Sequence, residues 1–142
     1  MRIFLDSNIF LRYFVPEQTS MYDECESILR GIENGIHQPY TSAIVVLECS
    51  YVLGKLYKFS FKLVADAIGR MLSLRNLTII EITDTRKAFA IHQATLMKLS
   101  DCLIATQVPK GVTLVTYDRD FIKLPGVTVK TPRDIVSMSE KS

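Results

Sequence analysis

Three apolar residues, Ile3 to Leu5, run straight into Asp6, and Ile9 and Phe10 follow almost at once. A carboxylate wedged between two segments that both seek the interior is costly if it stays unpaired. A parallel sheet resolves the conflict. Its strands all end on one edge, so a short buried strand can deliver the side chain that follows it to a rim while the next residues turn back onto the core.

The rest of the chain repeats this alternation. RIFL reads as a strand ended by Asp6, Ser7 and Asn8, any of which can cap a short helix through Phe14 that Pro16 stops. Tyr22, Cys25, Ile28, Leu29 and Ile32 fall at helical spacing and predict a helix from about Thr19 to Asn34, with Ser20 as its cap and Gly35 closing it. His37 to Tyr40 reads as an extended link. Thr41 or Ser42 then caps the apolar helix SAIVVLECSYVLGKLY. After a break at Phe59-Ser60, a helix over about Phe61 to Leu74 places Leu63, Val64, Ala67, Ile68, Met71 and Leu72 on one face. NLTIIEI is a strand, Asp84 caps a helix to about Leu99, and Ser100 caps another from Asp101 to about Gln107. VTLVT, the turn TYDRDF, VTVKT and a terminal helix PRDIVSM with Pro in its first position complete the chain. Strands alternating with helices imply a three-layer α/β/α sandwich around a central, mainly parallel sheet.

The 142 residues predict one domain, 1–142, long enough to bury about two thirds of the surface its unfolded chain exposes. With 48% apolar and 23% charged residues the chain has the composition of a soluble globular protein, not a disordered one. The first apolar run is too short for a signal peptide and no later one approaches the ~20 residues of a membrane span, so no membrane is expected and the cytoplasm is the predicted compartment. Cys25, Cys49 and Cys102 are widely spaced and form no C-x-x-C, which predicts small buried hydrophobes and no disulfide framework or zinc site. The net charge of +2 names no partner. Between Tyr51 and Arg75, however, Lys55, Lys58, Lys62, Arg70 and Arg75 face only Asp66, either as the solvated side of a helix or as a track for phosphates.

Four acids stand out by position. Asp6 follows the first strand directly, and Asp118 follows VTLVT after Thr116 and Tyr117, so two parallel central strands would put both on one rim. Glu48 lies inside the apolar helix, between Ile44 and Val45 on one side and Tyr51 and Val52 on the other, where an unpaired acid has no inexpensive role. Asp101 opens its helix, where the dipole favours an anion. Each has a plainer use: Asp6 as a helix cap, Asp101 as a dipole-compensating residue, Asp118 and Asp120 as turn residues. Brought together, four carboxylates repel until some protonate or a cation binds. An all-oxygen set suits Mg²⁺ or Mn²⁺, and Mg²⁺ bound through few carboxylates points to phosphate chemistry.

FLDSNIFLRYF, TSAIVVLECSYVL with Glu48, LSDCLIAT with Asp101 and TLVTYDRDF with Asp118 and Asp120 occur in the order of a known family and span nearly the whole chain. The sequence resembles the PIN domain family and is most similar to the toxin component of VapBC-type toxin–antitoxin systems. The resemblance implies an endoribonuclease that cleaves single-stranded RNA with Mg²⁺ or Mn²⁺ held by Asp6, Glu48, Asp101 and Asp118, with Asp120 as an additional acid. It also implies secondary roles for Ser7 or Asn8 and for Thr116, and a small antitoxin partner; a homodimer is expected as well. Ser7 stands where the family often has Thr, and Cys102 where a small residue usually follows the Asp; neither change removes a ligand. The implied chemistry is in-line attack of a metal-activated water, leaving a 5′-phosphate and a 3′-hydroxyl, with Asp6 and Asp101 holding metal directly and Glu48 and Asp118 acting as ligands or through water. Arg12, Lys55, Lys58 and Lys62 are the candidates to guide the RNA backbone.

Two other readings compete. A phosphorelay receiver shares the acidic pocket, and VKTP imitates its Lys-Pro element, but no Asp lies between Gly35 and Phe61 to accept a phosphoryl group and Glu48 would have no role. A PIN scaffold that binds RNA or protein without cleavage is the other. The apolar residues from Tyr51 to Tyr57 and Phe59 to Phe61 are read as core packing, with a partner helix or a homodimer as their alternative use. His37 and His92 are read as structural.

Overall fold

The computed structural model describes residues 1–17 and 19–140. Five parallel strands form one sheet in the order β3-β2-β1-β4-β5, from β1 (Arg2–Leu5), β2 (Gln38–Ser42), β3 (Thr78–Ile80), β4 (Thr113–Val115) and β5 (Thr128–Lys130). Between them run α1 (Ser7–Phe14), α2 (Thr19–Glu33), α3 (Ala43–Lys55), α4 (Phe61–Leu72), α5 (Thr85–Thr95) and α6 (Leu99–Gln107), with α7 (Pro132–Glu140) last. The α/β architecture is the one the alternating pattern predicts.

β1 lies at the centre, and Ile3, Phe4 and Leu5 are fully buried, each worth about 1.5–3 kcal/mol of burial. From β1 the chain steps outward through β2 to β3, then returns across the sheet to β4 on the other side of β1. With crossovers of one hand, that reversal carries α5 and α6 to the face opposite α1–α4. The switch point is the seam between β1 and β4, where Leu5 pairs with Val115 and the Asp6 amide extends the ladder to the Val115 carbonyl at 3.1 Å.

Several local expectations change. The link at His37 to Tyr40 is part of β2, an interior strand that contains Pro39. Proline is tolerated because the Gln38 amide points to Met1 of β1's side, so the next nitrogen faces β3, whose ladder begins only opposite Tyr40. Ser20 lies inside α2, whose capping position falls outside the described residues. Ser100 lies inside α6; the capping position is Lys98, which makes no side-chain cap bond. On α4 only Ala67 and Met71 are buried, while Leu63 and Leu72 face solvent. Tyr51, Leu56 and Phe61 are exposed as well, Phe61 by 91%, which overturns their reading as core. The helical period marks an apolar face but not whether another element covers it.

Cys25, Cys49 and Cys102 are free and buried, as expected. Among the described residues no helix is long and apolar enough to cross a membrane.

Candidate active site at the carboxyl edge of the sheet

β1 ends by placing Asp6 at the switch point, 3% exposed, as the cap of α1. One carboxylate oxygen accepts the Ser7 amide at 2.8 Å; the other accepts the Thr116 hydroxyl at 2.7 Å and lies 3.5 Å from the Asn8 side-chain nitrogen. Thr116, just past β4, donates to Asp6 and accepts from the Asn8 amide and the Asp118 backbone, both at 3.0 Å. One donor and two lone pairs are thereby all engaged. Asn8 closes the loop by accepting the Tyr117 amide at 3.2 Å. Ser7 takes part through its backbone, its carbonyl also receiving the Cys49 thiol at 3.8 Å.

Asp118 caps the 3₁₀ turn Arg119–Lys123, accepting the Asp120 amide at 2.9 Å. Asp120 lies farther out, paired with Lys123 at 3.4 Å on the surface. Asp6 and Asp118 therefore do share a rim, and each also serves its plainer role, Asp6 as a helix cap and Asp118 in the turn after β4.

The two remaining acids arrive on helices. Ser42 ends β2 and caps α3 through the Val45 amide, so the second turn of α3 carries Glu48 toward the rim. Its Oε1 is buried without a hydrogen-bond partner. Burial first, then the nearby charges of Asp6 and Asp101, push the Glu48 carboxyl up to about 7. Asp101, in the first turn of α6 and 6% exposed, rises to about 6, chiefly by burial, with Lys98 opposing and Asp6, Asp118 and Asp120 adding to the rise. Burial also raises Asp6, against the bonds from Thr116 and Ser7.

Asp6 and Asp101 thus act on one another and lie within electrostatic reach of both Glu48 and Asp118, the four acids coming from different parts of the chain. Among the described residues, no three His, Cys, Asp or Glu side chains are gathered as a ready metal cage. The donor set nonetheless fits Mg²⁺ or Mn²⁺: it is all oxygen, it includes an orphaned buried carboxylate oxygen, and Mg²⁺ completes its shell with water and substrate phosphate.

The basic candidates lie elsewhere. Arg12 ends α1 beside Cys25, Lys55 ends α3 about 10 Å along the helix from Glu48, and Lys58 and Lys62 follow it. A cation that pattern reading passes over, Lys98, acts on Asp6, Glu48 and Asp101. Its only signal is a lysine in the capping place of α6, where Ser100 two residues later attracts the eye. His92 is structural, as expected, its ring bonded to the Met97 carbonyl just before α6. His37 is buried beneath Gly31, where a Cβ would come within 2.8 Å of its ring.

An α/β domain with an acidic, all-oxygen centre at the switch point of a parallel sheet is the class that fold and site define. The chain belongs to the PIN domain family, whose model matches residues 3–127. PIN domains are generally nucleases. A search of curated proteins gives no match. Among solved structures the chain is similar to VapBC2 from Rickettsia felis, bound to a DNA fragment from its promoter, at 20% identity over 92% of this chain and 98% of that one, with a TM-score of 0.65. It is also similar to a toxin–antitoxin complex from Klebsiella pneumoniae at 25% identity, 92% and 97% coverage and a TM-score of 0.62. PAE2754 from Pyrobaculum aerophilum matches at 13% identity, 100% and 91% coverage and a TM-score of 0.68. Membership of the PIN family removes the receiver reading.

Proposed function

We propose that this single-domain chain is an endoribonuclease that cleaves single-stranded RNA with Mg²⁺ or Mn²⁺, and that it is the toxin of a toxin–antitoxin pair acting in the cytoplasm. The observation that carries the reading is that Asp6 and Asp101 act on one another and each is within electrostatic reach of Asp118 and of Glu48, whose buried Oε1 has no partner. Asp6 and Asp101 would hold the metal directly, Glu48 and Asp118 directly or through water, and Asp120 from the outer side. A bound divalent ion supplies a lowered water pKa and neutralises charge on the phosphate. Thr116 and Asn8 hold the Asp6 carboxylate in one orientation, and Ser7 anchors its other oxygen. Such outer bonds to a ligand are what keep a metal centre in register.

An antitoxin partner is supported by the toxin–antitoxin complex from Klebsiella pneumoniae and by an open groove of about 870 Å³ between α1, α2 and α4. Phe10, Tyr13, Phe14, Leu29, Met71 and Leu74 line it, with Arg70 lying 5.3 Å over the Tyr13 ring. A homodimer would draw on the apolar side chains of Leu47, Tyr51, Phe61 and Phe89, all exposed. Arg12, Lys55, Lys58 and Lys62 remain candidates for distant RNA backbone contacts.

The reading is tested by incubating the protein with single-stranded RNA, with Mg²⁺ and with chelator. Cleavage that needs the metal and leaves 5′-phosphate and 3′-hydroxyl ends is expected. A 2′,3′-cyclic phosphate would exclude water as the nucleophile, and binding without cleavage would favour the scaffold that only docks RNA or protein.

A further inference from the structure

The turn that joins α5 to α6 breaks three local preferences within three residues. Leu96 adopts a left-handed conformation, φ +61°, that side chains other than glycine rarely take. Lys98 occupies the capping place of α6 with no side-chain bond to the helix amides, where Ser, Thr, Asp or Asn is favoured. Its positive charge also stands at the positive end of the helix dipole. Such departures are retained where something else depends on the conformation.

The turn is nevertheless firmly held. The Leu96 amide donates to the His92 carbonyl at 3.0 Å and the Met97 amide to the Thr95 hydroxyl at 3.2 Å. The Met97 side chain is buried, and its carbonyl meets both the His92 ring and the Cys102 thiol. The Lys98 carbonyl accepts the Cys102 amide at 3.1 Å. This scaffolding holds the exposed Lys98 at the start of α6, three residues before Asp101 in its first turn, and its charge acts on Asp6, Glu48 and Asp101. Among the described residues the salt bridges are Arg30–Glu26 and Lys123–Asp120, so Lys98 is close to the acids without being consumed by any of them.

We propose that Lys98 contacts the substrate, its ammonium holding a non-bridging oxygen of the RNA phosphodiester at the acidic rim. The inference rests on the nuclease reading. A phosphate entering four carboxylates meets net negative charge even after one divalent ion has bound, because two positive charges offset only half of theirs. Lys98 supplies a further positive charge from a turn whose backbone is fixed and whose ammonium forms no salt bridge among the described residues.

The experiment compares wild type, Lys98→Gln and Lys98→Arg in RNA cleavage over a range of salt, together with Mn²⁺ titration and oligoribonucleotide binding. Lys98→Gln is expected to lower kcat/KM by about tenfold or more. It should also make the salt slope shallower by about 0.7, the value of one single-strand phosphate contact. Mn²⁺ should bind it as tightly as wild type or more tightly, since a neighbouring positive charge is gone. Lys98→Arg should recover the salt slope. Unchanged kcat/KM and slope in Lys98→Gln would overturn the proposal, as would weakened Mn²⁺ binding, which would make Lys98 a support of the metal site. If wild type cleaves no RNA, the nuclease reading falls separately; equal oligoribonucleotide affinity of wild type and Lys98→Gln would then overturn the Lys98 contact as well.

Discussion

On the strand side of the rim, Asp6 has a donor on each carboxylate oxygen and Asp118 caps the turn that follows it. On the helix side, Glu48 keeps a buried oxygen with no partner, and Asp101 is buried at the start of α6. The difference follows from how each acid is delivered. Asp6, Asn8, Thr116 and Asp118 flank two paired strands, so the same ladder that fixes β1 against β4 fixes their side chains. Glu48 and Asp101 come from separate helices and meet this group only through tertiary packing. Burial raises the carboxyls of both halves, Asp6 included, but the strand half is held in place by hydrogen bonds without an ion, whereas the helix half leaves a buried oxygen unpaired that an ion would satisfy.

Substitutions can break this contrast in a definite order. Asp6→Asn keeps the size and most hydrogen bonds of the strand half but removes its charge. Cleavage of single-stranded RNA should fall by about 10²–10³-fold or more, while the metal-free protein at neutral pH unfolds no more easily than wild type, because burial already disfavours the Asp6 charge. Retained cleavage would take Asp6 out of the centre.

Glu48→Gln should change how stability depends on pH. The folded Glu48 carboxyl, raised from 4.5 to about 7, holds its proton over a range where the unfolded chain has lost it. The metal-free wild type is therefore most favoured below about 4.5 and loses stability as pH rises through about 7. Urea unfolding at pH 4 and pH 8 should show Glu48→Gln matching wild type at the lower pH and exceeding it by at most about 3 kcal/mol at the higher. Saturating Mg²⁺ should narrow or reverse that gap by stabilising wild type more than the variant.

Thr116→Val removes the hydroxyl that orients Asp6 without touching charge. Mn²⁺ affinity should drop by about 10-fold, the scale of an outer bond to a ligand, and a calorimetric titration measures it directly. Asn8→Ala should show the smallest effect, about 1 kcal/mol of unfolding free energy, since it frees the Tyr117 amide but leaves the Thr116–Asp6 bond in place.

The strand half was also the easier half to read. Asp6 betrays itself by interrupting an apolar run, and Asp118 by following β4, because strand ends in a parallel sheet converge by construction. Glu48 is legible for a different reason, as an acid that the apolar side of a helix would otherwise reject. What single-sequence patterns hide is tertiary. β2 escapes notice because Pro39 argues against a strand until the short reach of β3 is known. Leu63 and Leu72 follow the helical period on α4 but face solvent, since period alone does not say what lies opposite. Lys98 is overlooked because Ser100 satisfies the capping rule on paper, and only the folded turn shows where α6 begins.

Binding of Mn²⁺ to wild type, Asp6→Asn and Glu48→Gln, followed by calorimetry at one neutral pH, tests most directly whether the two halves form one centre. The account predicts that both substitutions weaken the same binding event. Wild-type affinity in either variant would show that strand acids and helix acids do not share an ion.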